Sequence, residues 1–263
     1  MLYLKARDIF IYYSYINHIP VIDKDRNVVD IMSRQRAFWK EEFDKEKLPR
    51  MHYAHCIWSA AMEAVSLGYK AISVLEFGVA AGNSLVNCEF HAKEISRLLG
   101  IEIQVYGFDK ADGLPMDNMG YKDMIHIWPG GKFKMDIEKL KNRLRFAQLV
   151  LGDIRDTANT FFETFKPAPV GCMLIDVDYY SSTLPILDML EKSDEYFMPR
   201  VQMYFDDIVR EYEFSGEMLA IKEFNLKHEQ MKISPEGFSH NDYREKTKVC
   251  HRFFHKKYNT AKK

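Results

Sequence analysis

This 263-residue chain lacks the features that announce several common protein classes. Its four cysteines, Cys56, Cys88, Cys172 and Cys250, form no C-x-x-C pair, which argues against a zinc ribbon or a dithiol motif. They read instead as small buried residues in a reducing compartment. No charge excess exists either: 37 Lys and Arg face 38 Asp and Glu, a net charge of −1 with pI near 6.8. A domain-wide basic footprint is therefore absent, and nucleic acid is not an expected partner. The short basic run over 251–263 reads as a solvated tail. Lys5, Arg7, Asp8, Asn17 and His18 break up the apolar residues of 1–22, so neither a leader nor a membrane span is expected, and the expected location is cytoplasmic. Internal repeats and low-complexity tracts are also missing, and no H-x-x-x-H set carries an adjacent acid. So is G-x-G-x-x-G, which disfavours a nicotinamide-dependent oxidoreductase.

What is present is an alternation. The composition, 47% hydrophobic and 29% charged, suits a globular domain with a substantial core. Residues 1–50 read as an extension of helices and loops packed on the core, and 51–263 as the main domain. Ile57, Ala60, Ala61, Ala64 and Val65 recur at helical spacing before Gly68. Strands are then expected over 71–77, 101–108, 147–151, 171–175 and 201–205, with a late edge strand over 248–254. Helices are expected over 84–99, 136–146, 157–165, 183–197 and 216–225. This order predicts right-handed βαβ crossovers and a mostly parallel sheet with helices on both faces. Ligands of such sheets bind beyond the carboxyl ends of the strands. The loop over 111–134, with Met116, Met119, Met124, Trp128 and Pro129-Gly130-Gly131, is either a lid or a fixed packed loop.

The residues of chemical interest fall at those strand ends. The first strand runs into Glu76-Phe77-Gly78-Val79-Ala80-Ala81-Gly82-Asn83-Ser84. A G-x-x-x-G turn with small residues lets a ligand approach the backbone and suits one without phosphate, such as S-adenosylmethionine. Asp109 closes the second strand, where a carboxylate can accept hydrogen bonds from ribose hydroxyls. Asp153 follows the third and could face adenine, although Asp153 or Asp156 could equally cap the next helix. Strand four ends in Asp176-Val177-Asp178 and strand five in Asp206-Asp207. Four carboxylates at one edge raise one another's pKa values unless neutralised, and oxygen donors of this kind suit magnesium, manganese or calcium. Asp178, Ser181 and Ser182 are also plausible helix caps.

Taken together, EFGVAAGNS, YGFDKADGLP, GDIRDT, LIDVDYYSSTLPILDML, FDDI and FSGEMLAIKEFN resemble the macrocin O-methyltransferase family, over about residues 70–226. The resemblance implies a Rossmann-like, doubly wound, mostly parallel seven-stranded sheet. It implies S-adenosylmethionine and magnesium (or another divalent cation) as cofactors, and methylation of a hydroxyl on a sugar or other small acceptor. It places Glu76, Gly78, Gly82, Ser84, Asp109 and Asp153 in the cofactor pocket. Asp176, Asp206 and Asp207 become metal ligands, with Asp176 or Asp178 as general base. Tyr12, Tyr13 and Tyr15 could cover the acceptor, form a homodimer contact or simply pack. Two other readings stand beside this one: a non-catalytic Rossmann-like protein that binds adenosylmethionine or a glycan, and, ranked lower, a nucleic-acid methyltransferase.

Overall fold

The structure, a computed structural model, describes residues 50–116, 120–208, 213–236, 246–253 and 255. Residues 1–49 of the extension, with Tyr12, Tyr13 and Tyr15, and residues 256–263 of the basic tail lie outside the described residues. Helix α1 (Met51–Ser66) opens the described domain. Then follow β1 (Ala71–Phe77), α2 (Asn83–Leu99), β2 (Glu102–Asp109) and the five-residue α3 (Ile137–Lys141). Next come β3 (Gln148–Leu151), α4 (Ile154–Phe165), β4 (Val170–Ile175) and α5 (Tyr180–Asp188). The chain continues with β5 (Phe197–Phe205), α6 (Gly216–Lys227), β6 (Met231–Pro235) and β7 (Thr247–Arg252).

The seven strands form one sheet in the order β3-β2-β1-β4-β5-β7-β6. β1 to β5 pair in parallel, whereas β7 is antiparallel to both of its neighbours. The seven-stranded Rossmann-like sheet is thus present. The strand order reverses between β1 and β4, so a crevice opens beyond the ends of these two adjacent strands.

Each face of the sheet has its own core. Tyr53, Ala54, Ile57, Ala60, Ala61 and Ala64 of α1 pack with Leu85 and Ile95 of α2 against Ile72, Val74 and Leu174. The alanines shrink the inner face of α1 so that it can lie close to the strands. On the other face, Phe161 and Phe162 of α4, Ile186 and Leu187 of α5 and Phe224 of α6 cover Leu75, Phe77, Phe108 and Met173. No helix of the described residues is long and apolar enough to cross a membrane.

Four expectations need correction. The strand near 248–254 is no edge: β7 lies between β5 and β6, and the unforeseen β6 takes the edge. α4 begins at Ile154 because Asp153 caps it, accepting the Arg155 amide at 2.9 Å. The helix expected over 136–146 stops at Lys141; the Arg145, Phe146 and Ala147 amides turn to Glu89 Oε1 of α2 instead. The helix expected over 183–197 instead spans Tyr180–Asp188 and dissolves into two 3₁₀ turns, and β5 starts at Phe197.

Phe161 is fully buried, with ring centroids 4.9 to 5.4 Å from Phe108, Tyr106, Phe162 and Phe165. Phe161→Ala is expected to lower unfolding free energy by about 3–5 kcal/mol, read from the urea midpoint at unchanged slope.

Candidate functional site

The crevice holds a cavity of about 360 Å³, lined by the carboxyl ends of β1 to β5 and by the loop after β2. That size suits a small-molecule ligand. Its lining includes Gly78, Ala80, Asp109, Asp153, Asp176, Asp178, Asp206 and Asp207, gathering most of the residues singled out by sequence.

The turn after β1 is built from its backbone outward. Gly78 has φ +86°, and a Cβ there would stand 1.8 Å from the Asp176 carbonyl oxygen. Only glycine lets the ends of β1 and β4 come this close. Gly82 has φ +80° at the start of α2, where a Cβ would meet Leu140 at 2.1 Å. Asp109 Oδ2 accepts the Val79 and Ala80 amides at 2.9 and 2.8 Å, and Oδ1 accepts the Ala111 amide at 2.6 Å. The carboxylate at the end of β2 therefore clamps the turn while remaining part of the cavity wall.

Glu76, Gly82 and Ser84 do not line the cavity but support the turn from behind. Glu76 is fully buried; Tyr53 donates to it at 3.4 Å, and Ser84 hydrogen-bonds to it. Burial pushes its pKa up to about 8. Asp153 remains at the cavity, bound at 2.8 Å to its own Arg155, whose hydrogen bond holds its pKa down to about 2. Its capping role and its place in the wall coexist.

The acids of β4 and β5 converge as expected. Burial, then the charges of Asp206 and Asp207, push Asp176 up to about 7. Burial and the neighbouring Asp207 push Asp178 up to about 8; Asp178 is hydrogen-bonded to Asp207, whose own pKa is also raised by burial and Asp206. Burial disfavours ionisation of Asp206 as well, but the Tyr204 hydroxyl at 2.6 Å and Lys246 at 3.3 Å outweigh it and leave this pKa lowered.

Three participants were not singled out by sequence. Glu217, at the start of α6, is fully buried, accepts the Asp207 amide at 3.0 Å and is pushed well above the carboxylate range by burial. An acid in a first helical turn looks like an ordinary dipole partner, so its position carries no signal. Lys246 precedes β7 and reaches Asp206 only through the sheet order. Arg50 caps α1, and its guanidinium lies 3.6 Å from Asp176 Oδ2 and 5.3 Å from the Tyr53 ring centroid.

The acid cluster fits a hard divalent cation by its chemistry. All its donors are carboxylate oxygens, and Asp207 Oδ2 is buried with no hydrogen-bond partner among the described residues. Its arrangement is less complete: among the described residues no three His, Cys, Asp or Glu side chains stand so as to hold a metal together.

The loop over 111–134 is tied down where it is described. The Ser181 amide donates to Asp123 at 2.7 Å, Lys122 pairs with Glu223 at 2.9 Å, and the Tyr179 hydroxyl donates to the Trp128 carbonyl at 2.6 Å. Leu114, Pro115, Trp128 and Phe133 of this loop form an apolar part of the cavity wall.

A buried acid with a raised pKa favours the fold while protonated, and that stability is lost as pH rises from the ordinary carboxylate range through the raised value. Asp178 sits at φ +60°, a conformation that asparagine tolerates. In chelator-treated protein, Asp178→Asn is expected to gain thermal stability over the parent between pH 4 and pH 8, reaching roughly 2–5 °C by melting curves. A constant difference across this range would refute the electrostatic account.

No family model and no curated protein sequence matches the chain. Among solved structures it is similar to the calicheamicin methyltransferase CalS11, with a TM-score of 0.56 at 14% identity, over 94% of this chain and 92% of the other. It also aligns with the apo structure of CalS11, described as a TDP-rhamnose 3'-O-methyltransferase, over 95% and 96% of the two chains, with a TM-score of 0.45 at 13% identity. The plantazolicin methyltransferase BamL aligns over 93% and 94%, with a TM-score of 0.42 at 8% identity. At these identities the first likeness shows the fold alone, and the other two add no argument. The chain shares the Rossmann-like fold of that first methyltransferase.

Proposed function

We propose that this protein is an S-adenosylmethionine-dependent O-methyltransferase acting on a hydroxyl of a small acceptor such as a sugar. One observation carries the reading: a single cavity joins a glycine turn at the sheet's switch point to a crowd of acids with raised pKa values. A turn of this kind admits a ligand against backbone, and acids so tuned can take a proton near neutral pH. The sequence resemblance to macrocin O-methyltransferases adds to it.

In this reading Gly78 and Ala80 face the amino-acid end of the cofactor, Asp109 the ribose, and Asp153 the adenine. Bound there, S-adenosylmethionine would supply an electrophilic methyl group to the acceptor oxygen and leave as S-adenosylhomocysteine. Asp176, or Asp178 beside it, takes the hydroxyl proton. The apolar wall of Leu114, Pro115, Trp128 and Phe133 excludes water and holds the acceptor in line, which is most of what such a transfer requires. The sequence resemblance assigns a hard divalent cation to Asp176, Asp206 and Asp207; it would acidify the acceptor hydroxyl only once these side chains, apart as they stand, converge on it. Without one, protonation of the cluster and the cations Arg50 and Lys246 offset the same charge.

Calorimetric titration with S-adenosylhomocysteine is expected to show binding on the order of micromolar, about 8 kcal/mol, with no binding of NAD. Preference for NAD would sink the reading. Once an acceptor is found, chelation is expected to lower turnover at neutral pH and magnesium to restore it. Turnover indifferent to chelator would remove the cation and leave methyl transfer standing.

A further inference from the structure

The cavity poses an electrostatic problem that its glycine turn does not solve. Six aspartates line it: Asp109, Asp153, Asp176, Asp178, Asp206 and Asp207. The amino-acid end of adenosylmethionine brings an ammonium and a carboxylate, and the second of these must enter a wall already rich in carboxylates. Three cations also line the cavity: Arg50, Lys110 and Arg155. Lys110 follows β2 and Arg155 lies in the first turn of α4, after β3; they pair with Asp112 at 3.5 Å and with Asp153. In a sheet ordered β3-β2-β1-β4 that is the nucleoside side. Arg50 is the cation on the other side, beside Gly78 and Asp176, where β1 and β4 meet.

Resting on the cofactor reading above, we infer that Arg50 anchors the carboxylate of the cofactor's amino-acid end. Its geometry suits the task. The capping position at α1 fixes its backbone, and the Tyr53 ring lies 5.3 Å from the guanidinium. The pair with Asp176 at 3.6 Å is loose and the side chain is 36% exposed, so one carboxylate does not exhaust its five donors. A planar fork binds a carboxylate through two parallel hydrogen bonds, which a lysine cannot reproduce. The same guanidinium would then bridge ligand and acid cluster, holding the amino-acid end close to Asp176. α1, the link from the extension to the sheet, thereby takes part in cofactor selection.

The test is a double cycle on the full chain, titrating S-adenosylhomocysteine and its decarboxylated analogue, which keeps the ammonium. Arg50→Met is expected to weaken S-adenosylhomocysteine by roughly 30-fold while leaving the analogue within about twofold, the two losses being non-additive. Arg50→Lys is expected to fall between, because charge without the fork recovers only part of the effect. Equal losses for both ligands, or none for either, overturn the assignment, and Arg50 is then only a partner of Asp176. A parent protein that binds neither ligand removes the cofactor reading itself, an outcome distinct from a failure of Arg50.

Discussion

The close approach of β1 and β4 is the constraint on which the rest of the site depends. Asp176 begins where β4 ends, and its carbonyl occupies the space a side chain at position 78 would need. That contact places the glycine turn and the first acid of the cluster on either side of one seam, at the point where the strand order reverses. Asp109 then pins the turn from the β2 side through the Val79 and Ala80 amides and holds its own loop through the Ala111 amide, so the wall is set before any ligand arrives. A preformed wall spares a ligand the cost of ordering it.

Crowded charge is the price of this convergence. Asp176, Asp178, Asp207 and Glu217 all have raised pKa values because burial strips their water and like charges face them. Asp206 alone of the cluster is lowered, and the difference is local: Tyr204 and Lys246 hold it. Two neighbouring aspartates, identical in sequence terms, thus differ in pKa because the Tyr204 hydroxyl, two residues back on β5, and Lys246, just before β7, both reach Asp206. Separation of this kind is what lets one acid stay charged while another keeps a proton for exchange.

The loop after β2 shows how packing decides between readings that composition leaves open. Its methionines and its Pro-Gly-Gly turn allow either a moving lid or a fixed wall. The Asp123 carboxylate caps the start of α5, Lys122 joins α6, and Tyr179 holds the Trp128 carbonyl. These bonds fasten the described part of the loop to the two helices nearest the acids, so the aromatic wall and the acid cluster are positioned by the same elements.

The sequence by itself determined the alternation of strands and helices, because branched apolar runs such as 71–77 and 171–175 have no stable place except a buried parallel sheet. It also determined that Gly78, Asp109, Asp176 and Asp206 stand at strand ends, since each follows directly on such a run. Local signals misled where side chains from elsewhere intervened: Glu89 draws the amides of 145–147 away from a helix, and β7 enters the sheet beside β5 rather than at its edge. Only the tertiary structure decided which acids share charge, that Glu76 backs the turn instead of lining it, and that Arg50, Lys246 and Glu217 belong to the site. These three lie 26 residues before Glu76, 40 after Asp206 and 10 after Asp207, and no periodicity within an element reports such distances. Proximity across a sheet follows from strand order, and strand order is settled by which faces can be buried together.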